Sequence, residues 1–153
     1  MKRDKAIKYM KLVLFQSELF SKDPATKVGA LFLCPKTHNV LSLGYNGMPR
    51  GVDEKDENRW KRPTKYLYVE HAERNAIYNA CRKGTCLEGS ICIVTMFPCC
   101  DCTRGIVQTG VKTLITFPMK EDSRWNDNCT TSKEILIEAG VEIIYLSKEE
   151  TTL

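Results

Sequence analysis

Residues 91–117 read ICIVTMFPCCDCTRGIVQTGVKTLITF, and this stretch decides the fold. ICIVTM (91–96) is a β-rich run of strand length, Pro98 stands where a helix opens, Gly110 where it closes, and TLITF (113–117) is a second strand. Two strands joined by a helix form a crossover unit, which sets them parallel. Further along, Thr131 with Glu134 matches a capping box, predicting a helix that starts there and ends at Gly140, before a third parallel strand, VEIIYL (141–146). In the other direction, a helix over about 71–82 has Glu70 and Glu73 near its positive end, Arg82 and Lys83 near its negative end, and Gly84 as a stop. VGALFLC (28–34) and VLSLGY (40–45) flank turn residues and read as a hairpin. Ala6, Ile7, Met10, Val13 and Leu14 recur at helical spacing, predicting an amphipathic helix over 4–21 with Lys2, Lys5, Lys8 and Lys11 on its wet face. After Tyr45 comes a polar stretch of about twenty residues with no period, either a functional loop or a hidden element. The sum is one α/β domain over residues 1–153.

Composition narrows the class. With 42% hydrophobic residues the chain is not disordered, and 23 basic against 19 acidic residues, a net +4, is too mild to argue for a polynucleotide partner. No uncharged apolar run approaches the roughly 18–20 residues of a membrane span. The basic N-terminal helix runs into the first strand with no secretory core after it, so it reads as part of the fold. Three of the eight cysteines crowd into positions 99–102, which points to metal and a reducing compartment, the cytoplasm, rather than to disulfides.

Two segments carry the chemistry: HAE at 71–73 and PCCDC at 98–102. Cys99 and Cys102 share one face of a first helical turn, whose positive end favours thiolate, whereas Cys100 is rotated away by about 100°. His71 adds one imidazole and gives a Cys2His set with a fourth position left to water, as in catalytic zinc sites. A closed structural site would need a fourth protein ligand; His38 and the other cysteines are available but lack the spacing. Glu73 falls beside that position, where a carboxylate can move protons between water and substrate. Each feature alone has an ordinary explanation: a helix cap, a dipole partner, a redox CxxC. HxE followed by PCxxC is the signature of zinc deaminases, and both halves fall at helix starts.

The chain resembles the deoxycytidylate branch of the zinc-dependent cytidine deaminase superfamily, including its phage and viral members. SKDPATKVGA (21–30), GYNGMPRG (44–51), KYLYVEHAERNAI (65–77), FPCCDC (97–102) and IVQTGVKTLI (106–115) follow in family order. The resemblance implies a cytidine deaminase-like three-layer α/β/α fold with a five-stranded mixed sheet. It implies zinc on His71, Cys99 and Cys102, with Glu73 as the proton shuttle in hydrolytic deamination of dCMP to dUMP with release of ammonia, supplying dTTP synthesis. Asn46 would hold the sugar 3′-hydroxyl, the Ala72 amide would meet the base, and Lys22 is a candidate for the 5′-phosphate. For Asn46 the alternative is a turn residue beside Gly47, and for Lys22 a solvated cation. It further implies a homohexamer activated by dCTP and inhibited by dTTP, with Mg2+ on the effector. The glycine-containing segment with Gly47, Arg50, Gly51 and Asp53 is the expected regulatory loop.

The stretch FPMKEDSRW (117–125) lacks the family's gating tyrosine, so Arg124 and Trp125 stand in for its phosphate contact and gate; otherwise they are a surface charge and a core or subunit contact. A second, structural zinc is not expected, since only two histidines are present. Cys34, Cys81, Cys86, Cys92 and Cys129 read as buried small hydrophobes. The rival functions are a dCMP/dCTP deaminase, a tRNA or single-strand deaminase, and a zinc-stabilised binding module without turnover.

Overall fold

The computed structural model describes residues 1–119 and 126–152. The elements in chain order are α1 (Arg3–Phe20), β1 (Gly29–Leu33), β2 (Val40–Tyr45), a 3-10 turn (Glu57–Trp60), α2 (Lys65–Tyr68), α3 (Ala72–Lys83), β3 (Ile91–Val94), α4 (Cys100–Gln108), β4 (Thr113–Thr116), α5 (Asn126–Glu138), β5 (Glu142–Tyr145) and a final 3-10 turn (Glu149–Thr151). The strands form one mixed sheet in the order β2-β1-β3-β4-β5. β1 is antiparallel to β2 and β3, whereas β3, β4 and β5 run parallel, as helical crossovers require.

Period-two alternation along the strands divides the core between two faces. Ala30, Phe32, Cys92, Val94 and Leu114 face α3, α4 and α5, packing on Ala72, Ala76, Ala80, Ile106, Cys129 and Leu136. Leu31, Leu33, Ile91, Ile93 and Ile115 face Ala6, Met10 and Val13 of α1. The result is a helix layer on each side of the sheet, as expected. Both cores are continuous through β1, β3 and β4, the central strands, which are buried along nearly their whole length.

Helix α3 lies unusually close to β2 because position 44 has no side chain. A Cβ built on Gly44 would stand 2.3 Å from Ala72 O and 2.4 Å from Ala76 N. Side chains secure that approach: Ser42 Oγ donates to Ala76 O at 2.6 Å, Asn79 Nδ2 to Leu43 O at 2.7 Å and Asn75 Nδ2 to Tyr45 O at 2.9 Å. Gly84 ends α3 in the left-handed region, with φ 64°, where glycine is unstrained.

Two expectations change and one open alternative is decided. The capping box at Thr131 is not a helix start: α5 begins at Asn126, and Thr131 lies exposed within it. Its first turns are held by α4, since Asn128 Oδ1 accepts from Cys100 N at 2.8 Å and Ser132 Oγ donates to Pro98 O at 2.8 Å. The unpatterned stretch after Tyr45 holds the 3-10 turn and α2, both too short to show a period. Cys92 and Cys129 are buried as expected, but Cys34 is half-buried and Cys81 and Cys86 are exposed, because the end of α3 and the turn after it face solvent.

Candidate active site

The site lies where two helix N-termini meet. His71 and Cys99 are the N-cap residues of α3 and α4, both with extended backbone, at φ −77°, ψ 153° and φ −73°, ψ 167°. Cys102 falls in the first turn of α4, so Cys99 and Cys102 share a face. Cys100 points the other way, its Sγ lying 3.0 Å from Asn128 O of α5. Cys99 Sγ lies 3.5 Å and Cys102 Sγ 3.4 Å from His71 Nδ1, and the three ligand atoms are all within 4.8 Å of one another.

These separations fit a zinc ion. Tetrahedral ligation with Zn–S near 2.3 Å and Zn–N near 2.0 Å sets sulfur and nitrogen about 3.5 Å apart. Among the described residues no fourth His, Cys, Asp or Glu joins this cluster. The titration chemistry is that of a metal-binding set. The Cys99 thiol is brought down to about 4, chiefly by the hydrogen bond with Cys102 and by the His71 ring, against the cost of burial. The same bond, with burial, pushes Cys102 up, and a bound divalent ion would favour the thiolate at both sulfurs. The bond to Cys99 raises His71.

Glu73 lies in the first turn of α3, only 4% exposed. Burial pushes its carboxyl above the usual range, and the His71 ring opposes that shift. A carboxyl so placed is suited to take up a proton and pass it on, which a proton shuttle must do. A strut braces the two helix tips. Glu70 Oε1 accepts from His71 N at 2.9 Å and from Arg74 Nε at 2.6 Å, and Arg74 Nη1 stands 3.7 Å from Asp101 Oδ2 of α4.

His71, Ala72, Glu73 and Cys99 open onto a cavity of about 490 Å³. The family model for the cytidine and deoxycytidylate deaminase zinc-binding region matches residues 3–117. The chain belongs to this family. A deoxycytidylate deaminase of Homo sapiens is 37% identical over 139 residues, covering 87% of this chain and 75% of the relative. A deaminase of Aliivibrio fischeri, from the region 3′ of luxG, is 40% identical over 129 residues, covering 83% and 84%. The crystal structure of the dCMP deaminase of cyanophage S-TIM5 with dCMP and dUMP superposes with a TM-score of 0.77 at 28% identity, covering 95% of this chain and 99% of the other. A zinc-binding deaminase domain with a His-Cys-Cys cluster is thus present in this chain.

The other expected residues are placed unequally within this deaminase. Asn46 lines the cavity, but its amide is saturated: Oδ1 accepts from Val28 N and Ser21 Oγ, each at 2.8 Å, and Nδ2 donates to Thr26 O at 2.8 Å and Asp23 Oδ2 at 3.1 Å. Lys22 does not line the cavity and pairs with Glu54 on the surface. Gly47, Arg50, Gly51 and Asp53 lie outside the lining as well. Gly47 pairs by backbone with Glu70, the Arg50 guanidinium donates to the Asn79 side chain, Gly51 has φ 82°, and Asp53 Oδ1 caps Lys55 N. Arg124 and Trp125 lie outside the described residues. The cavity also gains residues that the sequence did not single out: Asp23, Arg62, Lys65 and Lys148. The described helices include none long and apolar enough to cross a membrane.

Proposed function

We propose that this chain deaminates dCMP hydrolytically to dUMP, with His71, Cys99 and Cys102 holding zinc and Glu73 carrying the protons. The observation that carries this reading is the convergence of His71, Cys99 and Cys102, with His71, Cys99 and the buried Glu73 lining one cavity, in a chain similar over most of its length to deoxycytidylate deaminases. Zinc, when bound, supplies an acidified water, lowering its pKa toward about 7. Glu73 takes the proton of the attacking water and delivers it to N3 of the pyrimidine. A C–O bond forms at C4; Glu73 then takes the second proton from the new C4 hydroxyl and gives it to the amine, and as C4=O forms the C4–N bond breaks and the amine leaves as ammonia. Burial favours the protonated form of Glu73, which suits it to take the proton from the attacking water. The Ala72 amide, at the positive end of α3, meets the base carbonyl. Asn46 meets the sugar 3′-hydroxyl by exchanging one of its four hydrogen bonds.

The enzyme works in the cytoplasm as a homohexamer, with dCTP as activator and dTTP as inhibitor on the loop carrying Gly47, Arg50, Gly51 and Asp53, and Mg2+ on the effector. Exposed Arg50, Gly51 and Asp53 support this reading, whereas Gly47 is buried with its backbone paired to Glu70. Hyperbolic dCMP kinetics unchanged by either triphosphate would remove the regulation.

The test offers zinc-loaded protein dCMP, dCTP, deoxycytidine, cytidine and an oligonucleotide, following uracil formation. dCMP is turned over best, and Glu73→Ala abolishes turnover while keeping zinc. No turnover of any of these, or activity that survives Glu73→Ala, overturns the reading.

A further inference from the structure

Lys65 is the most unusual charged residue of the cavity. Its side chain is 9% exposed and lies in the lining, at the start of α2, six residues before His71. Its ammonium is ion-paired with Asp23 Oδ2, a fully buried carboxylate, at 2.5 Å, and has no other polar partner among the described residues. Asp23 is itself well engaged: Oδ1 accepts from Ala25 N at 2.9 Å and Thr26 N at 3.1 Å, and Oδ2 accepts from Asn46 Nδ2 at 3.1 Å. Asp23 therefore fixes the ammonium in place through one contact while leaving its other N–H donors without a partner among the described residues. A buried cation with unpaired donors is costly, and a ligand oxygen at this position lowers the cost.

The charges around it specify the ligand. Lys27, Arg62, Lys65 and Lys148 line the cavity, against the carboxyls of Asp23 and Glu73. Lys27 is paired with Glu18 at 2.7 Å. Arg62, three residues before Lys65, and Lys148 line the cavity with no ion-pair partner among the described residues. Unpaired cations gathered on one cavity, around a buried ammonium, attract an anion rather than a hydroxyl. The guanidinium offers paired donors to phosphate oxygens, and the ammonium a point charge. Asn46, whose amide is saturated, competes for no such role, and Lys22 does not reach the cavity.

We infer that Arg62 and Lys65 grip the 5′-phosphate of the nucleotide, with Asp23 as the positioning residue that holds Lys65. This assignment rests on the proposed reading that the substrate is a nucleoside monophosphate. Its test is equilibrium binding to the zinc-loaded protein by calorimetry, with dUMP and deoxyuridine as probes, which requires no turnover. The wild type prefers dUMP, and Lys65→Met and Arg62→Ala each lower the dUMP-to-deoxyuridine affinity ratio at least tenfold. The double variant Asp23→Asn/Lys65→Met removes both buried charges, so it reports the same loss if the single variant fails to fold. A ratio unchanged in these variants, or equal weakening of both probes, overturns the clamp; the latter would assign Lys65 to the sugar. No preference for dUMP in the wild type also overturns it. Tight dUMP binding without turnover of dCMP counts against the reaction and leaves the clamp standing.

Discussion

Replacing Gly44 with alanine perturbs the site from behind, through the α3 backbone at Ala72 and Ala76 rather than through a side chain that meets substrate. The added methyl carbon would stand 2.3 Å from Ala72 O, 2.4 Å from Ala76 N and 2.9 Å from Ala76 Cα, all backbone atoms of α3. Ordinary contact begins near 3.4 Å, so helix and strand must separate by about 1 Å. Rotamer changes cannot relieve a clash with backbone. Overpacking of this kind costs about 2 kcal/mol, and for a domain of this size that lowers Tm by roughly 4–8 °C. The same shift displaces His71 and Glu73, at the start of α3, relative to Cys99 and Cys102, at the start of α4. A displacement of about 1 Å at reacting groups costs on the order of 100-fold in rate. The assay pairs a calorimetric melt with dCMP turnover at saturating zinc. Gly105→Ala is the contrast, since its methyl meets only the flexible tip of Ile77, at 3.2 Å, and alanine favours the helix. A Gly44→Ala protein that melts within about 1 °C of wild type and turns over dCMP at the same rate would refute the reasoning.

Three further outcomes follow from the same geometry. Glu73→Gln keeps zinc and fold but lowers kcat by roughly 10²–10⁴-fold, measured by steady-state kinetics beside metal analysis. Arg74→Ala breaks the strut between Glu70 and Asp101 and weakens zinc binding by about 10–100-fold, read by chelator competition. The Arg3 guanidinium holds Glu150 down at about 2. Because the folded carboxyl titrates below the unfolded one, this contribution to stability is present above the unfolded pKa, near 4.5, and is lost as pH falls toward 2; an NMR titration shows the depressed value, which returns to the usual range in Arg3→Ala.

The parallel strands and their helices were legible because each carries its own punctuation: Pro98 and Gly110 around α4, Gly84 after α3, Gly140 after α5. The metal cluster was legible for a similar reason, since the helical period alone puts Cys99 and Cys102 on one face and turns Cys100 away. The start of α5 was not, because it depends on Asn128 and Ser132 meeting α4, partners that a local capping pattern cannot reveal. Lys65 was invisible for the same reason. Its burial follows from Asp23, which is distant in sequence, and from a loop whose short turns show no period. The saturation of Asn46 likewise comes from residues 21–28, so its type and spacing alone cannot show whether its amide is free.

The central claim is a single zinc held by one imidazole and two thiolates, with its fourth position open to the cavity. X-ray absorption at the zinc edge of the purified protein tests it most directly. The account predicts one zinc per chain with two sulfur scatterers near 2.3 Å and two light atoms near 2.0 Å. Three or four sulfurs around the metal, or a protein active without zinc, would contradict it.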